Sequence, residues 1–285
     1  MWSTRSSLAA LLLALSGTAA AAQEAWTGPI FDAHLHYNDE AAAVLAVGSA
    51  FELFRKNGVA AILANSRPND GSRALYEAWK KTPSLAVQVV PFIRVYRNRS
   101  DYGTWQDNPE ILAMIVAEEK RGYYRGVGEF HVQGSAADTK VLKQIVDFAV
   151  SRNLVLHAHC DDVALEILYR HNPKARVIWA HTGFGLELAR VDELLKKYPA
   201  LWGELSYRSG VAGEAAPSPE WKALFTRHPT RFLLGSDTWV NERWASYPRI
   251  MGDYRRLLGQ LPGEVAERVA WKNAAELFGL SAATR

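Results

Sequence analysis

Imidazole and carboxylate side chains recur along the sequence in pairs two residues apart, each pair near the end of an apolar segment. The pairs are His34 with His36, Glu129 with His131, and His157 with His159. Within a β-strand, residues i and i+2 point to the same side, so both members of a pair face one way. Neutral imidazole and carboxylate oxygens are ligands of zinc-like divalent cations. The pattern therefore predicts a metal site to which several segments contribute.

Single residues at two further segment ends enlarge this set. His181 ends the run that begins at Val177, and Asp237 ends the run that begins at Phe232. Six of the eight histidines therefore stand at the ends of apolar segments. One such histidine is more often a hydrogen-bonded core residue than a ligand. Several that converge need a group to neutralise them, and a divalent cation is such a group.

Eight apolar runs have to position these side chains. They cover residues 30–36, 59–65, 85–94, 126–131, 154–159, 177–181, 201–206 and 232–237. Most are continuous rather than alternating, which is typical of parallel strands covered on both faces. Amphipathic stretches separate them, and this α/β alternation predicts a single-domain (β/α)₈ TIM barrel. A doubly wound open sheet is the alternative, but no glycine-rich phosphate-binding sequence follows the first run.

Helix signals support the alternation. Apolar residues recur every three or four positions over 141–149 and 186–195, which predicts amphipathic helices there. Ser218-Pro219-Glu220 predicts a helix start, with serine as the N-cap and proline in the first turn. Because barrel enzymes carry their active sites at the carboxyl ends of the strands, we expect the imidazole and carboxylate groups at that mouth.

The first 22 residues have the pattern of a secretory signal peptide. Arg5 supplies positive charge, residues 8–15 are apolar, and small residues end at Ala22, before polar Gln23. The apolar run is too short for a stable membrane span, so an uncleaved anchor is the less favoured alternative. We therefore expect one barrel domain over residues 23–285, periplasmic or secreted, without stable membrane insertion.

Composition excludes several classes of protein. Of the 285 residues, 48% are hydrophobic and 22% are charged, the profile of a globular rather than a disordered chain. A net charge of +3 is too small to indicate nucleic-acid binding. The single cysteine excludes an intrachain disulfide framework and a metal site of several cysteines. The expected partner is a small-molecule substrate, and self-association into a homo-oligomer stays open.

Five segments in order resemble the amidohydrolase superfamily. Asp32-Ala33-His34-Leu35-His36 resembles its opening motif, and His157, His181 and Asp237 follow at the ends of the fifth, sixth and eighth runs. Segments 177–183, 232–237 and 272–280 closely resemble the amidohydrolase-related branch (the amidohydrolase 2 type). The resemblance extends from Ile30 to Leu280 and implies a metal-dependent hydrolase on a TIM barrel.

The resemblance also implies roles for these residues. One zinc-like ion is held by His34, His36, His157 and Asp237. Asp237 also takes the proton of the attacking water, and His181 either polarises the substrate carbonyl or binds a second ion with Glu129. Glu129 stands where binuclear members usually carry a carbamylated lysine, and it resembles the bridging glutamate of the metal-dependent DNase branch. One or two ions therefore remain open, and His159 remains an alternative to His157 as the ligand.

Candidates for substrate contact lie beside these positions. They are Arg94, Arg208, His131 and His159. An arginine can hold a carboxylate or phosphate through two parallel hydrogen bonds. A structural salt bridge, with Glu204 or with acids in the loops, accounts for either arginine at least as well. Trp239, Trp244 and Tyr102 either line an apolar pocket or pack down onto helices.

The predicted reaction is hydrolysis of an ester, lactone, amide or related bond of a small molecule. Non-oxidative decarboxylation of an aromatic or unsaturated acid is the alternative, because the same branch includes lyases with the same ligands. A catalytically silent barrel is disfavoured because Asp237 and all the ligand positions are present. Nuclease action is disfavoured because the sequence has no pronounced basic surface to attract phosphates.

Overall fold

Eight parallel strands lie side by side in the order in which they occur along the chain. The computed structural model describes residues 24–214 and 216–281, so the predicted signal peptide lies outside the described residues. The strands are β1 Ile30–His36, β2 Val59–Asn65, β3 Gln88–Ile93, β4 Gly126–Val132, β5 Val155–Cys160, β6 Val177–Trp179, β7 Leu201–Glu204 and β8 Phe232–Leu233. Each of the eight predicted runs therefore overlaps one strand.

Helices follow the strands and cover the outside of the sheet. They are α1 Asp39–Ala42, α2 Val47–Lys56, α3 Asp70–Lys81, α4 Pro109–Glu119, α5 Lys140–Ser151, α6 Asp162–His171, α7 Leu188–Lys197, α8 Pro219–Arg227, α9 Asn241–Ala245, α10 Tyr247–Gly259, α11 Gly263–Glu267 and α12 Asn273–Phe278. The two amphipathic helices predicted from periodicity are α5 and α7. Ser218 caps α8 as predicted, since its hydroxyl accepts from the Trp221 backbone N–H at 3.3 Å. Within the described part of the chain, no helix is long and apolar enough to cross a bilayer.

The continuity of the apolar runs follows from burial on both faces. Every residue of β1 is buried. The ring of Phe31 lies 6.0 Å from that of Trp271 and 5.9 Å from that of Phe278. His34 and His36, three and five residues further along, belong to the inner side of the same strand and are also buried. Burial along the whole strand explains why its apolar run is continuous rather than alternating.

Hydrogen bonds between β1 and the segment after β8 close the ring. The Ala33 N–H donates to the Leu234 carbonyl at 2.7 Å, and the Asp237 N–H donates to the His34 carbonyl at 2.6 Å. An open doubly wound sheet would leave its first and last strands apart. The eight strands therefore form a nearly closed (β/α)₈ barrel, as predicted, rather than the open-sheet alternative.

The last three strands are shorter than the sequence predicts. They end at residues 179, 204 and 233, whereas the apolar runs continue to 181, 206 and 237. The backbone φ angle is +57° at His181, +54° at Tyr207 and +47° at Asp237, in the left-handed region that strands do not adopt. Each of these runs thus ends in a tight turn, and this turn aims a side chain at the barrel mouth. Strain of this kind is concentrated at functional sites.

Asp32 anchors the segment after β8 to β1. Its buried carboxylate accepts from the Ser236 N–H at 2.8 Å, the Ser236 hydroxyl at 2.6 Å and the Tyr247 hydroxyl at 2.9 Å. All three donors are themselves buried. A buried donor that loses its acceptor costs about 1–3 kcal/mol. The contacts of Asp32 therefore hold Asp237 in register with the histidines of β1.

We expect Asp32→Ala to lower the free energy of unfolding by about 3 kcal/mol, because the buried Ser236 N–H and the buried Tyr247 hydroxyl lose their acceptor. Urea unfolding followed by circular dichroism measures the change. Asp107→Ala, at an exposed position, is the control and should change the value by less than about 0.5 kcal/mol. Equal unfolding midpoints for Asp32→Ala and the wild type would contradict the anchoring role.

Candidate metal centre

Four side chains from β1, β4 and the segment after β8 meet at the barrel mouth. His36 Nε2 lies 3.0 Å from Asp237 Oδ1 and 3.3 Å from Glu129 Oε2. His34 Nε2 lies 3.1 Å from His36 Nε2, 3.4 Å from Asp237 Oδ1 and 3.6 Å from Glu129 Oε1. Zinc bonds of about 2.0–2.2 Å in a tetrahedron place the ligand atoms roughly 3.3–3.6 Å apart. The four groups therefore have the spacing of a small-cation site.

Hydrogen bonds orient two of the imidazoles so that one nitrogen of each is available as a ligand. His34 Nδ1 donates to the Glu204 carboxylate at 2.9 Å, and a carboxylate only accepts. His181 Nδ1 donates to the Ser206 carbonyl at 2.8 Å. In the neutral form of either ring the proton is on Nδ1, and the lone pair of Nε2 faces Asp237 and Glu129. Such outer partners are the usual way in which metal-binding histidines are oriented.

Glu204 is a functional residue that the sequence analysis did not assign to the site. Besides the contact with His34, its carboxylate accepts from the His181 N–H at 3.1 Å and from the Ser206 N–H at 2.6 Å. A Cβ atom at Gly235 would lie 2.2 Å from Glu204 Oε1, so only glycine leaves room for this carboxylate. The sequence feature that could have identified Glu204 is an acidic residue inside the apolar run 201–206, because a buried charge needs a partner.

His36 is held differently from the other two rings. Its Nδ1 contacts Arg94 Nη1, which is a donor and cannot accept a proton from the ring. The same guanidinium donates to Asn65 Oδ1 at 2.5 Å and lies 3.5 Å from Glu129 Oε2. Ligation of a metal by His36 Nε2 therefore requires Arg94 to turn away from Nδ1. The buried ion pair of Arg94 is made with Glu129, not with Glu204.

His157 provides the clearest test of whether these residues suit a metal. The ring is fully buried, 4.3 Å from the ring of His34, and neither nitrogen has a hydrogen-bond partner among the described residues. Burial, together with the charge of His34, lowers the pKa of His157 well below its usual value. The ring is therefore neutral with a free lone pair. A buried, unpaired polar group is costly, and coordination to a cation would remove that cost.

Glu129 lies between two groups of donors. Its Oε1 is 3.0 Å from His159 Nδ1 and 3.6 Å from the Nε2 atoms of both His34 and His181. Its Oε2 is 3.8 Å from His131 Nε2. On one side the carboxylate meets the histidines of β1, and on the other it meets the outer histidines of β4 and β5. This is the position from which one carboxylate can bridge two cations.

Charge around His34 favours a cation at this place. Burial alone would lower the pKa of His34, but the carboxylates of Asp237, Glu129 and Glu204 raise it well above its usual value. Burial would raise the pKa of Asp237, but the charge of His34 and the hydrogen bond with His36 hold it below its usual value. Three carboxylates thus surround one imidazole, and either a proton or a metal ion balances them.

A cavity of about 520 Å³ opens above the centre. It is lined by Asn38, Arg67, Arg94, Arg99, Tyr102, Glu129, His131, His159, His181, Phe184, Tyr207, Asp237 and Trp239. Three of the four predicted substrate-contact residues therefore lie at the cavity. His131 is fixed there by Tyr96, whose hydroxyl is 2.9 Å from Nδ1 and accepts from the His131 N–H at 2.7 Å.

Arg208 is not brought to the cavity. Its guanidinium donates to the Leu186 carbonyl and lies 5.3 Å from the centre of the Trp221 ring. The reason is the turn at Tyr207, which directs Tyr207 into the cavity and the next residue outward. Trp244 is buried against Tyr37 and packs in the core, whereas Trp239 lines the cavity.

We expect His157→Ala to reduce the metal content of the purified protein to well below that of the wild type, because the unpaired ring is lost. Elemental analysis after dialysis measures the metal per chain. His171→Ala, at the end of α6, is the matched control and should keep the wild-type content. If His159→Ala loses the metal and His157→Ala keeps it, the ligand is His159 instead.

We expect Glu204→Gln to weaken metal binding about 10–100-fold, the usual effect of removing the carboxylate partner of a ligating histidine. Competition with a chromophoric chelator measures the dissociation constant. Glu264→Gln, at an exposed position in α11, is the control. Unchanged affinity in Glu204→Gln would mean that His34 does not depend on this carboxylate for its orientation.

The chain resembles solved structures along most of its length. An amidohydrolase from Burkholderia multivorans, with bound zinc, is 17% identical with a TM-score of 0.57 and covers 89% of this chain and 100% of that one. A putative 2-pyrone-4,6-dicarboxylic acid hydrolase from Pseudomonas putida is 15% identical with a TM-score of 0.57 and covers 88% and 97%. A TatD family hydrolase from Entamoeba histolytica is 11% identical with a TM-score of 0.58 and covers 90% and 100%. These likenesses show a shared fold.

The sequence itself matches a family model. No curated protein matches the chain. The model described as amidohydrolase matches residues 103–280, more than half of the chain. The matched part includes Glu129, His157, His181 and Asp237, while His34 and His36 precede it. The chain therefore belongs to the amidohydrolase family of metal-dependent hydrolases.

Proposed function

We propose that this protein hydrolyses an ester, lactone, amide or related bond of a small molecule with a water molecule activated at the barrel mouth. The observation that carries the proposal is the position of Asp237. Its Oδ1 lies within 3.4 Å of both histidines of β1, and its Oδ2 lies 3.9 Å from His181 Nε2. The same carboxylate lines the cavity, so it faces both the metal ligands and the substrate.

The residues proposed to hold the ion are His34, His36, His157 and Asp237. A divalent ion, zinc from the nitrogen-rich donor set, supplies Lewis acidity and lowers the pKa of a water molecule to about 7. The zinc in the Burkholderia multivorans amidohydrolase supports this choice of metal. Glu129 and His181 are the candidates for binding a second ion. Elemental analysis of the purified protein measures the number of ions per chain.

Each side chain has a defined task in this reaction. Asp237 is ionised, because its pKa is held below the usual value, and it accepts the proton of the attacking water and returns it to the leaving group. His181 has two possible tasks that depend on its protonation. The neutral ring offers Nε2 as a ligand, and the protonated ring donates from Nε2 to the substrate carbonyl. Burial opposes protonation, but Glu129 raises the pKa of His181 above its usual value.

Decarboxylation is the second candidate, favoured by the arginines in the cavity. Arg94 is buried beside Glu129 and Arg67 lies at the same wall, so a substrate carboxylate would be attracted to the centre. A lyase needs that carboxylate to be the group that leaves. A hydrolase needs the substrate carboxylate only for binding, because the carbonyl that is attacked is another group of the substrate. Turnover of a panel of lactones and esters, compared with aromatic carboxylic acids, separates the two reactions.

We expect Asp237→Asn to lower kcat by at least 10²-fold while the protein keeps most of its metal. The amide retains the shape of the side chain but cannot accept the proton. Steady-state kinetics on the best substrate of the panel and elemental analysis measure the two effects. Asp161→Asn, at the N-cap of α6, is the control for loss of a carboxylate outside the centre. Undiminished turnover in Asp237→Asn would overturn the assignment of the base.

A further inference from the structure

The segment that carries Asp237 follows β8 but is not itself a strand. β8 ends at Leu233, and the backbone φ angle at Asp237 is +47°. A left-handed residue of this kind persists only where its surroundings hold it in place. In a buried segment, each backbone N–H and C=O group also needs a hydrogen-bond partner. The partners of this segment therefore show what keeps Asp237 in position.

β1 provides partners for the N–H groups of this segment. The Asp237 N–H donates to the His34 carbonyl at 2.6 Å, and the Ser236 N–H donates to the Asp32 carboxylate at 2.8 Å. Ser236 is fully buried, and Asp237 is almost fully buried. Among the described residues, no group of β1 donates to the backbone carbonyl of either residue. Both carbonyls therefore need a donor from another part of the barrel.

Arg243, in α9, supplies both donors. Its Nη2 donates to the Ser236 carbonyl, and its Nε lies 3.4 Å from the Asp237 carbonyl oxygen. Within the part of the chain that the structure describes, no other group donates to either carbonyl. A guanidinium group is planar, so its N–H donors keep a fixed relation to one another. One side chain thus spans two successive carbonyls of the left-handed turn.

Tyr207 and Trp239 connect Arg243 with the cavity. Arg243 Cζ lies 4.2 Å from the centre of the Tyr207 ring, which is a cation–π contact. The Tyr207 hydroxyl accepts from Trp239 Nε1 at 3.1 Å, and Trp239 is two residues after Asp237. Tyr207 and Trp239 line the cavity, whereas Arg243 is not one of its lining residues. Arg243 therefore acts on the centre from behind, through the backbone and through these rings.

We propose that Arg243 is a positioning residue for Asp237. The two carbonyls that it binds belong to the peptide units on either side of the Asp237 Cα atom. Fixing both units fixes φ and ψ, and with them the direction in which the side chain leaves the backbone. Asp237 Oδ1 then stays 3.0 Å from His36 Nε2 and 3.4 Å from His34 Nε2. The importance of this role for catalysis rests on the proposed function, but the positioning itself does not.

Backbone hydrogen exchange tests the positioning role without turnover. Arg243→Met keeps an apolar stem but has no donors. The peptide of residues 234–240 should exchange about tenfold faster in this variant, because hydrogen bonds from a charged group are lost. Mass spectrometry of the full chain, with and without a chelator, measures the rates. The peptide of α5 should keep the wild-type rate, and Arg249→Met, with a side chain 67% exposed on α10, is the matched control.

Substitutions at Tyr207 test the same contacts if Arg243→Met does not fold. Tyr207→Leu removes the ring that stacks on the guanidinium, so the peptide of residues 234–240 should exchange about threefold faster, the value of one exposed cation–π contact. Tyr207→Phe keeps the ring and should exchange like the wild type. Equal rates for Tyr207→Leu and Tyr207→Phe would show that the ring does not support Arg243.

Zinc binding and kinetics separate failure of this inference from failure of the proposed function. Arg243→Met should raise the dissociation constant of zinc about tenfold and lower kcat with little change in KM. Arg243→Lys, which offers a point charge without the planar fork, should lie between Arg243→Met and the wild type. Equal exchange of the 234–240 peptide in Arg243→Met and the wild type would overturn the positioning role. Faster exchange in the variant, with a wild-type protein that hydrolyses none of the lactones and esters, would instead remove only the proposed function.

Discussion

The hydrogen bond between His34 and Glu204 is the contact on which the centre depends. Glu204 accepts from the side chain of β1, from the backbone of the turn after β6 and from the backbone after β7. One buried carboxylate thus fixes three neighbouring parts of the barrel and decides which nitrogen of His34 is free. Gly235 leaves the space that this carboxylate needs. The arrangement puts negative charge below the imidazoles, where it increases their affinity for a cation.

The closed barrel explains how so many polar groups can be buried together. Its backbone is paired around the ring, so the side chains at the mouth do not have to satisfy an open sheet edge. Three carboxylates and several imidazoles can then balance one another within a few ångströms, and His157 alone stays unpaired on both nitrogens among the described histidines. Left-handed backbone at His181, Tyr207 and Asp237 aims side chains into the same space. The fold thus concentrates both charge and strain at one place.

Two unlike walls give the cavity a direction. Loops after β2 and β3 contribute arginines, and loops after β6, β7 and β8 contribute aromatic rings. Asp237 and Glu129 lie between them at the floor. A substrate that contacts both kinds of side chain is oriented relative to these carboxylates. The proposed hydrolysis depends on this geometry.

Periodicity and residue type were enough to predict the barrel and its eight strands. They also predicted the convergence of His34, His36, Glu129, His157, His181 and Asp237, because the carboxyl ends of the strands meet at one mouth and a strand places every second residue on the same side. Arg94 could be predicted for the same reason. The sequence could not reveal that Arg208 faces away, that Glu204 supports His34, or that Arg243 reaches the turn at Asp237. These outcomes depend on positive φ angles, on side-chain directions after the strand ends and on contacts between residues far apart in the chain. The alternation of residues along a strand is a local property that the sequence determines. Only the tertiary structure of the barrel brings loops that are distant in the chain to the same cavity.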